Sequence, residues 1–279
     1  MLYSAYCILY TKFMDFPLNL AECENFLSCI LPKAGEIAKR YFKNPDLHFK
    51  NKSEHEIVTD ADIAINDYLC AGLTLEYPDF PIFSEESNRM ETEKYRESDA
   101  FWVIDPIDGT NNFARGMDLF AISIALCQKD RTLQGSVYSP VRNEWYQARE
   151  DIKGAFRNGE EIHAGSKNTL QNIKVAVDFG YSHDARKEAS SFIQKMIKHT
   201  NSIYSLGCAT LAQCQIAEGS ADIYRSVGLK PWDQAAAAFI AQKAGAKVLN
   251  GQGGEWNIFS ESILLGKEGI IKKVKKELA

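Results

Sequence analysis

Two segments near the start of the chain place apolar residues at helical spacing. Residues 18–42 and 63–75 each follow a period of about 3.6, which predicts two helices. Pro32 either kinks the first helix or marks where its second part begins. Thr59 and Asp62 precede the second helix with the spacing of a capping box. We therefore expect two helices within the first 75 residues.

Short apolar runs separated by turn residues follow through the middle of the chain. Residues 101–104 are fully apolar, which is typical of a buried strand, and later breaks predict an antiparallel meander. Residues 88–99 are polar and charged and predict a loop, and Asn158-Gly159 is a turn signal. The predicted strands are 82–83, 101–104, 121–127, 133–138 and 144–148.

The second half of the chain alternates between predicted strands and helices. The strands are 175–177, 222–224 and 247–249, and the helices are 185–198, 208–217, 234–243 and 267–278. We interpret the lysines of the last helix as a solvated face. A meander followed by alternating elements indicates sheets layered with helices, which is an α/β architecture.

Composition and charge exclude several classes of protein. The 279 residues are 45% hydrophobic and 25% charged, which excludes disordered and fibrous proteins. The formal net charge of −5 argues against a broad surface for nucleic acid or a membrane, but it allows a small phosphorylated substrate. Seven cysteines without a CxxC pair argue against a disulfide scaffold or a zinc site and favour a reducing cytoplasm. The apolar residues 1–15 lack a basic signal region and are interpreted as an N-terminal extension.

Acidic residues follow the buried strand in the sequence DPIDGT. Asp105 and Asp108 are three positions apart with Pro106 between them, so both carboxylates can turn toward one cation. Gly109 permits close backbone approach, and Thr110 adds a hydroxyl beside N–H groups that suit a phosphate. Carboxylate ligands favour Mg²⁺ or Mn²⁺ over zinc. The alternative is a turn in which the aspartates accept hydrogen bonds from the backbone.

Three further acidic segments flank predicted strands and helices. Glu85 and Glu86 follow a short strand, Asp62 belongs to the capping box, and Asp233 opens a helix. Each has an ordinary structural alternative, a solvated loop or a helix cap. Carboxylates gathered at one place repel one another unless a cation neutralises them. Together the four segments predict metal-assisted phosphoryl chemistry.

Two longer motifs resemble the signatures of a known family. The sequences WVIDPIDGTNNF (102–113) and PWDQAAAAFIAQKAGA (231–246) resemble those of the inositol monophosphatase family, the Mg²⁺-dependent and lithium-sensitive sugar-phosphatase superfamily. VTDAD (58–62) and SEES (84–87) are similar to two further motifs of that family. The resemblance covers the chain from residue 16 onward.

The resemblance implies both a fold and an assembly. The fold is a layered αβαβα sandwich with mixed, largely antiparallel sheets, formed by residues 16–279 as a single domain. The half up to about residue 165 would carry most metal ligands, and the second half would supply Asp233. A cytoplasmic homodimer is expected.

The resemblance also implies individual roles. Two to three Mg²⁺ ions, with Mn²⁺ as the alternative, would be bound by Glu85, Asp105, the Ile107 carbonyl, Asp108 and Asp233. Glu85, Asp62 and Thr110 would position and activate the attacking water. The substrate would contact Ile107, Asp108, Gly109, Thr110, Ala209 and Asp233. The five histidines lie outside these motifs, and we assign them no catalytic role.

One departure from the family pattern concerns the substrate. Members selective for inositol place a glutamate seven residues before the aspartate of the second motif, where this chain has Ser226. Arg225 beside it either meets a second phosphate or lies on the surface. We expect a phosphomonoesterase of the inositol-1-phosphate type. The alternatives are a 3′,5′-bisphosphate nucleotidase, a fructose-1,6-bisphosphatase, or a regulatory binding protein on the same fold.

Overall fold

A computed structural model describes residues 18–53, 56–87 and 92–278, and the predicted extension at 1–15 lies outside them. The described helices are α1 (Leu20–Tyr41), α2 (Asp60–Glu76), α3 (Thr92–Glu97), α4 (Thr110–Ala114), α5 (His183–Met196), α6 (Ala209–Ala217), α7 (Pro231–Lys243) and α8 (Glu268–Leu278). The strands of the first half are β1 (Phe49–Asn51), β2 (Ile57–Thr59), β3 (Ile82–Ser84), β4 (Phe101–Asp108), β5 (Ala121–Gln128), β6 (Arg131–Ser139), β7 (Glu144–Arg149), β8 (Ala155–Arg157) and β9 (Glu160–Ile162). Those of the second half are β10 (Ile173–Val177), β11 (Thr200–Tyr204), β12 (Ile223–Val227), β13 (Lys247–Asn250) and β14 (Ser262–Gly266).

Two sheets organise the molecule. The seven-stranded sheet has the order β3-β4-β5-β6-β7-β8-β9, and all of its pairs are antiparallel except β3 with β4. The five-stranded sheet has the order β11-β10-β12-β14-β13, with β10 parallel to both of its neighbours. A separate hairpin pairs β1 with β2.

Helices fill the spaces around the two sheets. α1 and α2 pack on one face of the seven-stranded sheet, α6 and α7 lie between the two sheets, and α5 and α8 cover the outer face of the five-stranded sheet. This arrangement confirms the predicted layered αβαβα sandwich.

The helix α7 fits between two sheets because its side chains are small. Its residues 235–238 are all alanine and all buried. A Cβ on Gly135 of β6 would lie 2.8 Å from the Ala236 carbonyl oxygen, so the helix touches the strand backbone directly. The Thr132 hydroxyl donates to the Ala235 carbonyl at 2.8 Å and fixes the helix against β6. This packing sets the position of the N-terminus of α7.

Several predicted elements need correction. α1 continues through Pro32 as one helix. The predicted loop at 88–99 contains α3, which Tyr95 anchors by stacking on Phe83 with ring centroids 4.4 Å apart. The predicted strand at 101–104 runs on to residue 108 as β4. The strands β1, β2, β8, β9, β11 and β14 were not predicted.

Other predictions are confirmed. The meander pairs β5 with β6 and β6 with β7, and the Asn158-Gly159 turn joins β8 to β9 with positive φ angles of 50° and 83°. The described cysteines are all free. The lysines of α8 at 272, 273, 275 and 276 are exposed. Within the described ranges, no helix combines the length and apolar character needed to cross a membrane.

Candidate active site

Three carboxylates meet where β4 ends and α7 begins. Asp105 and Asp108 lie in β4, and its pairing with β5 shifts register between them, next to Pro106, which has no N–H to donate. Asp233 is the third residue of α7, not the helix N-cap, and its Oδ2 accepts from the Lys230 N–H at 2.6 Å. Ligand oxygens of the three carboxylates all lie within 4.8 Å of one another. We call these three residues the acidic cluster.

The acidic cluster carries charge of one sign, with Asp105 and Asp108 buried and Asp233 half-buried. Asp105 is 1% exposed, and its Oδ1 has no hydrogen-bond partner among the described residues. Burial raises the pKa of Asp105 well above its usual range, and the charges of Glu85, Asp108 and Asp233 raise it further. Burial and Asp108 likewise raise the pKa of Asp233. The donor set of hard carboxylate oxygens fits a divalent cation such as Mg²⁺, which would neutralise this charge.

Asp108 is held from the opposite side by the start of α6. Its Oδ1 accepts from the Ala209 N–H at 3.1 Å, and its Oδ2 accepts from the Thr210 N–H at 2.6 Å. The Thr210 hydroxyl at 2.6 Å and the Cys208 thiol at 3.1 Å also donate to Oδ2. Burial raises the pKa of Asp108, although these hydrogen bonds act to lower it. The carboxylate is therefore fixed in direction, and Ala209 lies directly beside it.

Gly109 makes the tight turn from β4 into α4. Its φ angle is +92°, and a Cβ there would lie 2.8 Å from the Leu119 carbonyl oxygen, so a side chain would be both strained and blocked. The next residue, Thr110, starts α4 and places its Oγ1 3.1 Å from Asp62 Oδ1 and 2.9 Å from the Ile107 carbonyl oxygen. One hydroxyl proton serves only one of these acceptors at a time.

Asp62 forms the predicted capping box at the start of α2. Its Oδ2 accepts from the Thr59 N–H at 2.9 Å and from the Thr59 hydroxyl at 2.5 Å, while its Oδ1 faces Thr110. Burial raises the pKa of Asp62 to about 7, and the charges of Glu86 and Glu85 add to the rise. This carboxyl therefore exchanges its proton near neutral pH.

Glu85 reaches the site from β3, the parallel neighbour of β4. Its N–H donates to the Ile104 carbonyl at 3.1 Å, which places it beside the strand that carries Asp105. The Lys52 ammonium donates to Glu85 Oε1 at 2.9 Å and also to Glu86. Burial disfavours the Lys52 charge, but the two glutamates outweigh burial and raise its pKa. Sequence reasoning missed Lys52, since it lies 33 residues before Glu85 in an unremarkable polar stretch.

Strand alternation places Ser226 and Arg225 on opposite faces of β12. Tyr224 packs toward α6 and α7, and Ile223 packs toward α5 and α8. Because the side chains of a strand alternate, Ser226 shares the inner face with Tyr224, and Arg225 points outward. Arg225 is 3% exposed and pairs with Glu188 of α5. Both expectations for Arg225 are therefore wrong: it is neither on the surface nor directed at the acidic cluster.

The structure brings predicted residues of both halves of the chain together around the acidic cluster. Gly109, Thr110 and Ala209 lie against it, Asp62 lies behind Thr110, and the Ile107 carbonyl accepts from Thr110. Their chemical roles stay predictions. Sequence reasoning missed Cys208 and Thr210, whose hydrogen bonds to Asp108 span about a hundred residues and leave no local pattern.

The regions of this chain that match known proteins include every residue of the site described above. The model of the inositol monophosphatase family matches residues 19–279. The chain is 34% identical over 244 residues to the Nus factor SuhB of Pasteurella multocida (strain Pm70), covering 87% of this chain and 90% of that protein. It is 30% identical over 261 residues to the inositol monophosphatase of Dictyostelium discoideum, covering 91% and 95%.

Two solved structures share the fold. The extragenic suppressor protein suhB from Bartonella henselae superposes with a TM-score of 0.84 at 27% identity, covering 92% of this chain and 98% of that one. The IMPase of Thermotoga maritima superposes with a TM-score of 0.81 at 29% identity, covering 92% and 96%.

Proposed function

This chain belongs to the inositol monophosphatase family, as its motifs predicted, and on that premise we propose that it is a metal-dependent phosphomonoesterase acting on a small polyol or sugar phosphate. The observation that carries the proposal is the acidic cluster of Asp105, Asp108 and Asp233, which is buried among like charges. Such a cluster is unfavourable by itself and becomes favourable when a cation binds.

The residues that would hold two or three Mg²⁺ ions lie in β4, in α7 and in the turn after β3. They are Glu85, Asp105, the carbonyl of Ile107, Asp108 and Asp233. When bound, such ions lower the pKa of water and neutralise charge on the phosphoryl group. Asp108, fixed by the start of α6, keeps one direction whether or not a ligand is present.

The remaining residues orient the attacking water and move its proton. Glu85 and Thr110 would hold the water beside the phosphate. As the water oxygen bonds to phosphorus and the ester P–O bond breaks, one water proton passes to Thr110 Oγ1, and the hydroxyl proton of Thr110 passes to Asp62 Oδ1, 3.1 Å away. The departing alkoxide takes a proton from solvent water. A pKa of about 7 lets Asp62 accept and release that proton near neutral pH. In this scheme no side chain becomes covalently attached to the phosphoryl group.

The test is phosphate release from a small panel of esters. The panel holds inositol 1-phosphate, adenosine 3′,5′-bisphosphate, fructose 1,6-bisphosphate and glycerol 2-phosphate, each assayed with Mg²⁺, with EDTA and with added Li⁺. We expect release that requires Mg²⁺ and falls with Li⁺. Dominance of the adenosine or fructose bisphosphate would assign the chain to the corresponding alternative branch. Release that persists in EDTA would contradict the proposal.

A second candidate is a binding role for a macromolecular partner. It is favoured by the names of several relatives, which are called Nus factors. A stoichiometric partner recovered equally by the native chain and by Asp105→Asn would support this role as separate from catalysis. A partner lost with Asp105→Asn would tie binding to the acidic cluster.

A further inference from the structure

The two helices between the sheets each bring one part of the acidic cluster into place. α7 carries Asp233 in its first turn. The first turn of α6 supplies the N–H groups of Ala209 and Thr210, which fix the carboxylate of Asp108. The separation of the Asp108 and Asp233 carboxylates therefore depends on how the starts of α6 and α7 are held relative to each other.

One buried side chain links the starts of both helices. Gln213 lies one turn into α6, and its Nε2 donates to the Asp233 carbonyl at 2.7 Å and to the Ala209 carbonyl at 3.0 Å. An amide NH₂ carries two hydrogens, one for each of these acceptors. Ala209 thus gives its N–H to Asp108 and its carbonyl to Gln213, and Asp233 gives its carboxylate to the acidic cluster and its carbonyl to Gln213. The glutamine closes a chain of contacts between two carboxylates of the cluster.

The glutamine is an expensive choice if its role is only to fill space. Both carbonyls lie inside helices, where the backbone N–H four residues later is their ordinary partner, so neither requires a side-chain donor. Gln213 is fully buried, and its Oε1 has no hydrogen-bond partner among the described residues. A buried polar atom without a partner costs about 1–3 kcal/mol. An apolar side chain of the same length would avoid that cost, which indicates a role for Gln213 other than packing.

We infer that Gln213 is a positioning residue, which holds the starts of α6 and α7 at the spacing that a divalent cation requires at the acidic cluster. Without a cation, the like charges of Asp108 and Asp233 repel each other and favour separation of the elements that carry them. A link between those elements keeps the ligands in place, so less reorganisation is needed when the cation binds. The inference rests on the proposed function for the cation and concerns its affinity.

The principal test is the affinity of the metal-free protein for Mg²⁺, measured by titration calorimetry. Gln213→Met keeps the length of the side chain and removes both donors. We expect the Kd for Mg²⁺ to rise about fivefold, the size of one net hydrogen bond. The free energy of unfolding without metal should not fall, because the unpartnered Oε1 is removed together with the donors. A merely structural role predicts the reverse, a lower stability with an unchanged Kd.

Phosphate release provides a second measurement. The Mg²⁺ concentration that gives half-maximal release should rise by the same factor in Gln213→Met. At saturating Mg²⁺, kcat should return to near the native value, since every carboxylate of the acidic cluster is still present. A kcat that stays low at saturating Mg²⁺ would contradict a role confined to positioning.

A second buried glutamine provides the matched control. Gln234 lies in α7 and donates to the carbonyls of Ile258 at 3.3 Å and Ser260 at 2.5 Å, and it accepts from the Trp256 indole at 2.8 Å. None of these contacts reaches α6. We expect Gln234→Met to lower the free energy of unfolding and to leave the Kd for Mg²⁺ as it was.

A further variant keeps the inference testable if Gln213→Met does not fold. Gln213→Glu has the native size, and a buried carboxyl at this position keeps its proton and one donor. Its Kd should rise less than that of Gln213→Met, by about twofold, as expected for the loss of one of two donors.

The outcomes separate the inference from the function beneath it. A native Kd in both Gln213 variants, or an equal rise in Gln234→Met, would overturn the inference while the metal site stands. No binding of Mg²⁺ by the folded native chain would overturn both.

Discussion

The two sheets bury charge in opposite ways. In the seven-stranded sheet, β4 delivers Asp105 and Asp108 to Asp233, and Asp105 Oδ1 has no hydrogen-bond partner among the described residues. In the five-stranded sheet, Arg225 is buried to the same degree but pairs with Glu188 and donates to the carbonyls of Ser226 at 2.9 Å and Ile263 at 3.1 Å. In the five-stranded sheet the buried charge has a partner of opposite sign within the protein, whereas in the seven-stranded sheet carboxylates of like charge lie side by side.

The difference separates a structural charge from a functional one. A buried cation such as Arg225, which donates to two carbonyls and reaches an exposed carboxylate, holds a strand and a helix in place. A buried set of like charges costs stability unless a ligand supplies the opposite charge, which is typical of binding and catalytic sites. We therefore expect substitutions in the two places to act on different quantities, activity in the first sheet and stability in the second.

Asp105→Asn should have the largest effect. Loss of a central ligand of the acidic cluster should reduce kcat/KM by about a thousandfold or more, measured as phosphate release with Mg²⁺. Without metal the same variant should be more stable than the native chain, because one of the repelling charges is gone. A variant with unchanged turnover would contradict the assignment of the cluster as a metal site.

The raised pKa of Asp105 also predicts how the stability of the metal-free chain changes with pH. Asp105 has a raised pKa in the folded chain, so its contribution to stability is present below the unfolded value of 3.8 and is lost as pH rises through the folded value. In EDTA the native chain should lose stability as pH rises above about 4, and Asp105→Asn should lose less. Asp130→Asn, an exposed aspartate in the β5–β6 turn, is the matched control.

Arg225→Met should have the opposite effects: a loss of stability with little change in activity. Removing the guanidinium leaves the carbonyls of Ser226 and Ile263 without its donors and the exposed Glu188 without its partner, so the free energy of unfolding should fall by about 3 kcal/mol, mostly from the two carbonyls. Activity per folded molecule should stay near the native value, because the side chain lies on the face of β12 away from the acidic cluster. Denaturant unfolding and an active-fraction assay measure the two effects. A large loss of turnover at full folding would mean that Arg225 supports the site.

Metal binding should stabilise the native chain by a smaller amount. A ligand that binds only the folded state at about a hundred times its dissociation constant adds about 2.7 kcal/mol. The midpoint of thermal unfolding should therefore rise with Mg²⁺ in the native chain, and much less in Asp105→Asn. An equal rise in both would place the responsible ions outside the acidic cluster.

Sequence reasoning succeeded where the determining contacts are local. The capping box of Thr59 and Asp62 spans four residues, and the turn at Asn158-Gly159 spans two. The acidic motif after residue 104 also depends on neighbours in sequence, although β4 extends through it with a shift in register. Such features follow from backbone preferences and hydrogen bonds that a short segment forms by itself.

Sequence reasoning failed where strand register or contacts between distant residues determine which side chains meet. Arg225 and Ser226 are adjacent in sequence and face opposite layers, which depends on how β12 sits in its sheet. Lys52 contacts Glu85 and Glu86, which lie 33 and 34 residues later in the sequence. Tyr95, in the short helix α3, stacks on Phe83 of β3. Each of these contacts is formed by tertiary packing, which overrides the local pattern.

Ser226→Glu should give the smallest effect and tests the comparison most directly, because it places like charges in the five-stranded sheet. The new carboxylate would lie beside Asp178, which follows β10, the parallel neighbour of β12, and it would raise the pKa of that group and offer acceptors to a polyol. We expect the ratio of kcat/KM for inositol 1-phosphate to that for fructose 1,6-bisphosphate to rise about fivefold, equivalent to about 1 kcal/mol. Ser226→Gln, of similar size and neutral, should shift the ratio less. An unchanged ratio in the glutamate variant would show that selectivity is set by residues other than this strand pair.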